Sequence, residues 1–137
     1  MNIVVIDGQG GNLGKQLVQQ ILLQFPDTDL IAVGTNSIAT SNMLKGGAKK
    51  AATGENAVVV CAAKADVIVG PLGIVLADAL LGEVTQRMAA AVGTSDAVRI
   101  LIPMSKCDTF VAGVSDTSSA ALIDDAMKKL HSVLSAY

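Results

Sequence analysis

The residues of this chain that could do chemistry are concentrated where an apolar run ends in glycines, between Asn2 and Gly14. Gly8, Gly11 and Gly14 recur at every third position, and Gly10 adds a fourth glycine to the same seven residues. Asp7 closes the apolar run, and a helix-forming stretch from Lys15 to Phe25 follows the glycines at once. Strand, glycine turn and helix in that order build a seat for phosphate. Glycine tolerates the tight turn and lets backbone come close, and the N–H groups of a helix's first turn have no partner within the helix and face an anion. Gly8, Gln9, Gly10, Gly11, Asn12 and Leu13 are therefore candidate ligand-binding residues, with a side chain at Gly11 expected to fill the space a phosphate would take. The spacing is G-x-x-G-x-x-G rather than G-x-G-x-x-G, because Leu13 stands where the latter needs glycine. A structural reading stands beside this one: glycines also serve close packing of helix on strand without any ligand. Asp7 likewise has two readings, contact with a ligand hydroxyl, metal or proton, or capping of the turn through backbone N–H groups.

Three further segments have the same character. Gly34, Thr35 and Asn36 end a second apolar run, Leu30 to Val33, where dinucleotide-binding domains present an acidic residue to the ribose hydroxyls. No acidic residue stands there, and no arginine follows to pair with a 2′-phosphate, so NAD, NADP and another phosphate-bearing nucleotide all stay open as cofactors. An Asn36→Asp replacement is expected to turn preference towards NAD. Thr53, Gly54, Glu55 and Asn56 open a helix, where capping and the helix dipole also explain the polar residues. Gly70, Pro71 and Leu72 lie where the second clear core strand, Asp66 to Gly70, turns tightly towards a helix. Ser105, Lys106, Cys107 and Asp108 follow the last apolar run, and there a lysine could meet a phosphate or activate a thiol, or the four residues simply form a loop. His131, on the polar side of the final helix, has no evident catalytic setting.

These segments need elements to hold them. Leu17, Val18, Ile21, Leu22 and Phe25 form one stripe of a helix from Gly11 to Phe25, stopped by Pro26 and Asp27. Ser37 can cap a helix from Ile38 to Lys45, which ends at Gly46 and Gly47. Ala48 to Ala52 is a candidate short strand. Ala57 to Ala65 carries three consecutive valines yet has to return the chain across the sheet, so a helix is expected. A long helix is expected from Ile74 to about Val92, with a kink at Gly82 and a carboxylate, Asp78, buried in its most apolar part. Strand five is Val98 to Ile102; Thr109 to Val114 is expected to pair with it antiparallel as strand six, because the link is too short for a crossover helix. A helix from Ser118 to Leu134 buries Leu122, Ile123, Ala126, Met127, Leu130 and Val133.

The alternation predicts a three-layer α/β fold of Rossmann-like type, with a mostly parallel sheet of order 3-2-1-4-5 and strand six at the edge. Ligands bind such sheets at the carboxyl ends of the strands, at the switch point between strands one and four. All the glycine segments named above meet there.

Composition bounds the rest. At 137 residues there is room for one domain. A hydrophobic fraction of 51% and a mean hydropathy of +0.54 are high, and call for a sheet covered on both faces and for a subunit interface, with a homo-oligomer, a dimer, as the expected state. No stretch reaches the roughly 18 uncharged apolar residues of a membrane span. A net charge of −2 without a basic block argues against nucleic acid as partner. One histidine and two separated cysteines, Cys61 and Cys107, give no metal-ligand spacing. A core strand at the very start leaves no place for a signal region, so a cytoplasmic location is expected.

Asp7 to Gly11, Gly34 to Asn36 with Ala39 and Thr40, Ala52 to Ala57 and Gly70 to Ile74 resemble, in order and over almost the whole chain, the motifs of a functionally uncharacterised bacterial family of short, single-domain Rossmann-like proteins. The resemblance implies the fold and the ligand edge. A family without an assigned activity supplies no catalytic residue. The reading that follows is one nucleotide-binding domain over residues 1–137, a small protein binding a nucleotide or other phosphate ligand as a regulatory or accessory subunit. Two alternatives stand beside it: an NAD(P)-dependent oxidoreductase whose substrate pocket forms at a dimer interface, and an interaction module that uses the fold without a ligand.

Overall fold

The structure, a computed structural model, describes residues 1–103, 108–115 and 118–136. Strand β1 (Asn2–Asp7) runs into helix α1 (Asn12–Gln24), then β2 (Asp29–Gly34), α2 (Ser37–Lys45), β3 (Lys50–Thr53), α3 (Glu55–Lys64), β4 (Val67–Pro71), α4 (Gln86–Gly93), β5 (Val98–Ile102) and α5 (Ser119–Ser135). All the pairings are parallel and the order is β3-β2-β1-β4-β5. The predicted fold class and strand order are thus as expected, with crossover helices covering both faces.

The two-residue period of the strands divides the core. Ile3 and Val5 of β1 face the layer of α1 and α5, packed against Leu17, Ile21, Ile123 and Leu130. Val4 and Ile6 face the layer of α3 and α4, against Val58, Ala62, Met88 and Val92. The run Ala57 to Ala65 is helical despite its valines, because Val58 and Ala62 lie on one stripe of α3 and are buried. Tertiary packing outweighs the strand preference of a valine run.

Four expectations fail. Residues 109–114 form no strand; among the described residues the sheet ends at β5, and Val114 N–H closes a turn on the Val111 carbonyl. The expected helix from Ile74 to about Val92 is a single 3-10 turn (Leu72–Val75), then a loop through residues 76–84, and only then α4. Asp78, Leu80 and Leu81 take left-handed backbone there, with φ of 65°, 57° and 57°, which a helix does not allow. Asp78 is exposed in this loop rather than buried in a helix. Ser37 is the first residue of α2 rather than its cap; Asn36 caps it, its side chain accepting from Ala39 N–H at 2.9 Å. Ser105, Lys106 and Cys107 lie outside the described residues.

Candidate functional site

At the carboxyl end of β1 the chain turns sharply. Gly11 N–H bonds the Gly8 carbonyl at 3.0 Å, with Gln9 and Gly11 both at positive φ, 48° and 74°. Helix α1 starts at Asn12 without a cap from the residue before it. Asp7 takes that part. One of its carboxylate oxygens accepts from Gly8 N–H at 2.8 Å and the other from Gly14 N–H at 2.6 Å. Its side chain is buried, and burial pushes its pKa up; the two N–H bonds partly offset this, and the nearby charge of Glu83 adds to it. The turn-capping reading of Asp7 is the one this geometry supports. Among the described residues, the N–H groups of Gly10, Asn12 and Leu13 find no acceptor, and Gln9, Gly10 and Asn12 are exposed above a buried floor of Gly8 and Gly11.

The end of β2 lies beside this turn, since Asp7 pairs with Gly34 and Thr35 N–H bonds the Asp7 carbonyl at 2.9 Å. Asn36 joins the two: while its oxygen caps α2, its amide donates to the Gln9 carbonyl at 3.0 Å. Asn42 of α2 donates to the Gly10 carbonyl. The loop is therefore held from two sides.

The residue that sequence reasoning missed is Glu83. It comes from the loop after β4, and one of its oxygens accepts three hydrogen bonds: from Gln9 N–H at 2.8 Å, Thr35 Oγ1 at 2.7 Å and Asn36 Nδ2 at 2.7 Å. Burial works to raise its pKa, but the bonds from Gln9, Thr35 and Asn36 together outweigh burial and hold the carboxyl below the ordinary range. A carboxylate thus stands at the end of β2, brought there from a segment nearly fifty positions away. Only Gly82 hinted at it, as a break in an apolar stretch.

Other expected site residues are distributed as follows. Gly54 N–H bonds the Gly34 carbonyl at 2.9 Å, and the Thr53 hydroxyl pairs with that of Thr40 at 2.7 Å, so the end of β3 adjoins the end of β2. Gly70 lies against β1, where a side chain would meet the Ile6 carbonyl; Pro71 is buried and Leu72 begins the 3-10 turn. Glu55 turns to α4, accepting from Thr85 Oγ1 at 2.7 Å beside Arg87, and Asn56 is exposed on the first turn of α3. The tight core of the candidate site is therefore the Gly8–Leu13 turn with Thr35, Asn36 and Glu83.

Gly11 corrects an expectation. A Cβ there would stand 2.5 Å from Ala39 Cα of α2, so its glycine serves the packing of the turn on α2 as well as the left-handed backbone. At Gly10 a Cβ would meet nothing within 4 Å. The expected effect of Asn36→Asp also changes, because an aspartate would set a second carboxylate against Glu83 and lose the amide that holds Gln9. His131 stacks on Phe25, ring centroids 6.2 Å apart, beyond the far end of α1. Among the described residues no group of three or more His, Cys, Asp or Glu side chains could hold a metal, and no helix is long and apolar enough to cross a membrane. What the edge can do chemically is bind: three donors already converge on one anionic oxygen.

A family model described as a domain of unknown function (DUF3842) matches residues 2–135. No curated protein matches. Among solved structures, the chain is similar to one described as a dodecameric FMN-dependent UbiX-like decarboxylase from Escherichia coli O157:H7, at 18% identity and a TM-score of 0.49 over 97% of this chain and 76% of that one. A likeness this distant transfers neither ligand nor assembly.

Proposed function

The chain belongs to this family, a domain of unknown function, and we propose that it is a single nucleotide-binding domain that takes a small phosphate-bearing ligand at the carboxyl edge of its sheet. The observation that carries this is the convergence of Gln9 N–H, Thr35 Oγ1 and Asn36 Nδ2 on one carboxylate oxygen, at 2.7–2.8 Å, beside the N–H groups of Gly10, Asn12 and Leu13. Donors from two loops, fixed before any ligand arrives, suit a phosphoryl oxygen as well as a carboxylate oxygen, and the N-terminus of α1 adds its dipole. Gly34, Thr53, Gly54, Glu55, Asn56, Gly70, Pro71 and Leu72 form the outer parts of the same edge. A regulatory or accessory role suits a chain with one open ligand edge.

Calorimetric titration of the protein with ADP, NAD, NADP and FMN, together with mass spectrometry of small molecules released on denaturation, tests the reading. Binding of at least one phosphate compound, lost in Gly10→Val while the fold is retained, is the expected result. Equal affinity in that variant would remove the turn from the site.

A second reading rests on the place of Glu83. A carboxylate beside Thr35 and Asn36 stands where dinucleotide-binding domains hold the ribose diol, which favours NAD over NADP. In that case Glu83→Gln loses NAD affinity.

A further inference from the structure

We propose that Glu83 is an internal competitor for the ligand's anionic group, so that binding at this edge is coupled to release of the loop 76–84. The inference rests on the phosphate-binding reading above and adds how that site is regulated. Three observations carry it. The Glu83 oxygen takes the very donors, Gln9 N–H, Thr35 and Asn36, that an incoming anion would use. Gly8 fits closely beneath it: a Cβ there would lie 2.5 Å from Thr35 Oγ1, 2.7 Å from Leu80 Cδ1 and 3.1 Å from that same Glu83 oxygen. The loop that delivers Glu83 holds Asp78, Leu80 and Leu81 in left-handed backbone, an arrangement that persists only where surrounding contacts hold it in place.

Electrostatics makes the competition necessary. Asp7 already places one carboxylate at the start of α1, and Glu83 places a second at the end of β2. No lysine or arginine side chain hydrogen-bonds into the Gly8–Leu13 turn or onto Glu83 among the described residues. A phosphate entering beside both carboxylates would leave three like charges at one edge. With Glu83 swung out, the anion inherits its three donors and one of the two repulsions is gone. Val84 is buried in the core and anchors the end of the loop, bonded by Asp78 N–H at 2.7 Å, so the part that swings out is the tip before it, closed on itself by Gly82 N–H to the Asp78 carbonyl at 3.1 Å. The binding-competent form is then a minor state, and apparent affinity is reduced by its population.

The test compares wild type, Glu83→Gln and Glu83→Ala by calorimetry with inorganic pyrophosphate and with ADP, each with and without Mg2+, and follows amide hydrogen exchange over residues 76–84 and at Gln9. The expected result is affinity about tenfold tighter in both variants, with faster exchange of the 76–84 amides when the anion is added to wild type. Equal or weaker affinity in the variants overturns the competition while leaving the phosphate site standing, and loss of affinity confined to the Mg2+ titrations would mark Glu83 as a ligand of a bridging cation instead. Slower exchange in 76–84 on adding the anion also overturns it, since the loop would then be closing. If no protein form binds either probe, the phosphate reading fails and this inference fails with it.

Discussion

Two glycines one position apart separate fold from function at the level of the residue. Gly11→Val forces a β-branched side chain into left-handed backbone and against Ala39 of α2, and the two effects together should cost about 3 kcal/mol of stability, read as a lowered urea midpoint. Gly10→Val points its side chain into open space and should leave that midpoint nearly unchanged while abolishing ligand binding. Glu83 carries a pH signature. Its folded pKa lies below the unfolded value, so its contribution to stability is present above the unfolded carboxyl pKa and is lost as pH falls through the folded one. Asp7 has the opposite sign: its raised pKa favours the native state at low pH, and that advantage disappears as pH rises through the folded value. Wild type should therefore be more stable than Glu83→Gln near neutral pH, and the difference should close as the acid limb is entered. Urea denaturation of both proteins from about pH 7 to about pH 3 measures it; a gap that widened in acid would contradict the bonding pattern seen at Glu83.

The elements differ in how far local sequence decides them. β1, β2 and β4 carry continuous apolar runs bounded by glycine, proline or charge, and a strand buried on both faces reads that way; β5, at the sheet's edge, is apolar but for the exposed Arg99. α1 and α5 carry a helical stripe that matches their buried residues. The segment 72–84 was illegible for a physical reason: Ile74 to Leu81 has the composition of a buried helix, and what turns it into a loop is its packing over Gly73 and the docking of Glu83, contacts with residues up to 74 positions away. The missing sixth strand is a similar case, since a run of suitable residues becomes a strand only if the neighbouring edge accepts it. Asn36 and Ser37 are both good caps; β2 and the Gln9 carbonyl decide between them. The glycine edge was legible because backbone geometry imposes it, whereas the carboxylate seated in it was not. Because the Asn36 side chain caps α2 and also ties Gln9 and Glu83, Asn36→Ala should cost more than an ordinary cap, about 2 kcal/mol. Ser37→Ala should cost little, and chemical denaturation of the pair checks the assignment.

For the whole molecule, the decisive feature is apolar surface that the fold leaves uncovered. Both faces of the sheet are sealed by helices, so the high hydrophobic fraction is only partly absorbed by the core. Leu81 remains 97% exposed, Phe110 93% and Leu23 74%. Leu81 is the informative one, because its left-handed backbone costs an isolated subunit about 1 kcal/mol and a leucine there gains nothing from burial. Ile74 is in the core, so the exposed tip of the loop that carries Glu83 is the candidate surface. A homo-oligomer that covered this tip would connect assembly to the ligand edge, as the same loop bears both contacts. Light scattering coupled to size exclusion should show wild type above monomer mass and Leu81→Asp shifted towards monomer. A monomeric wild type at all concentrations would refute the assembly, and Leu81→Asn should then raise stability by relieving the strained backbone, since asparagine adopts that conformation more readily than leucine.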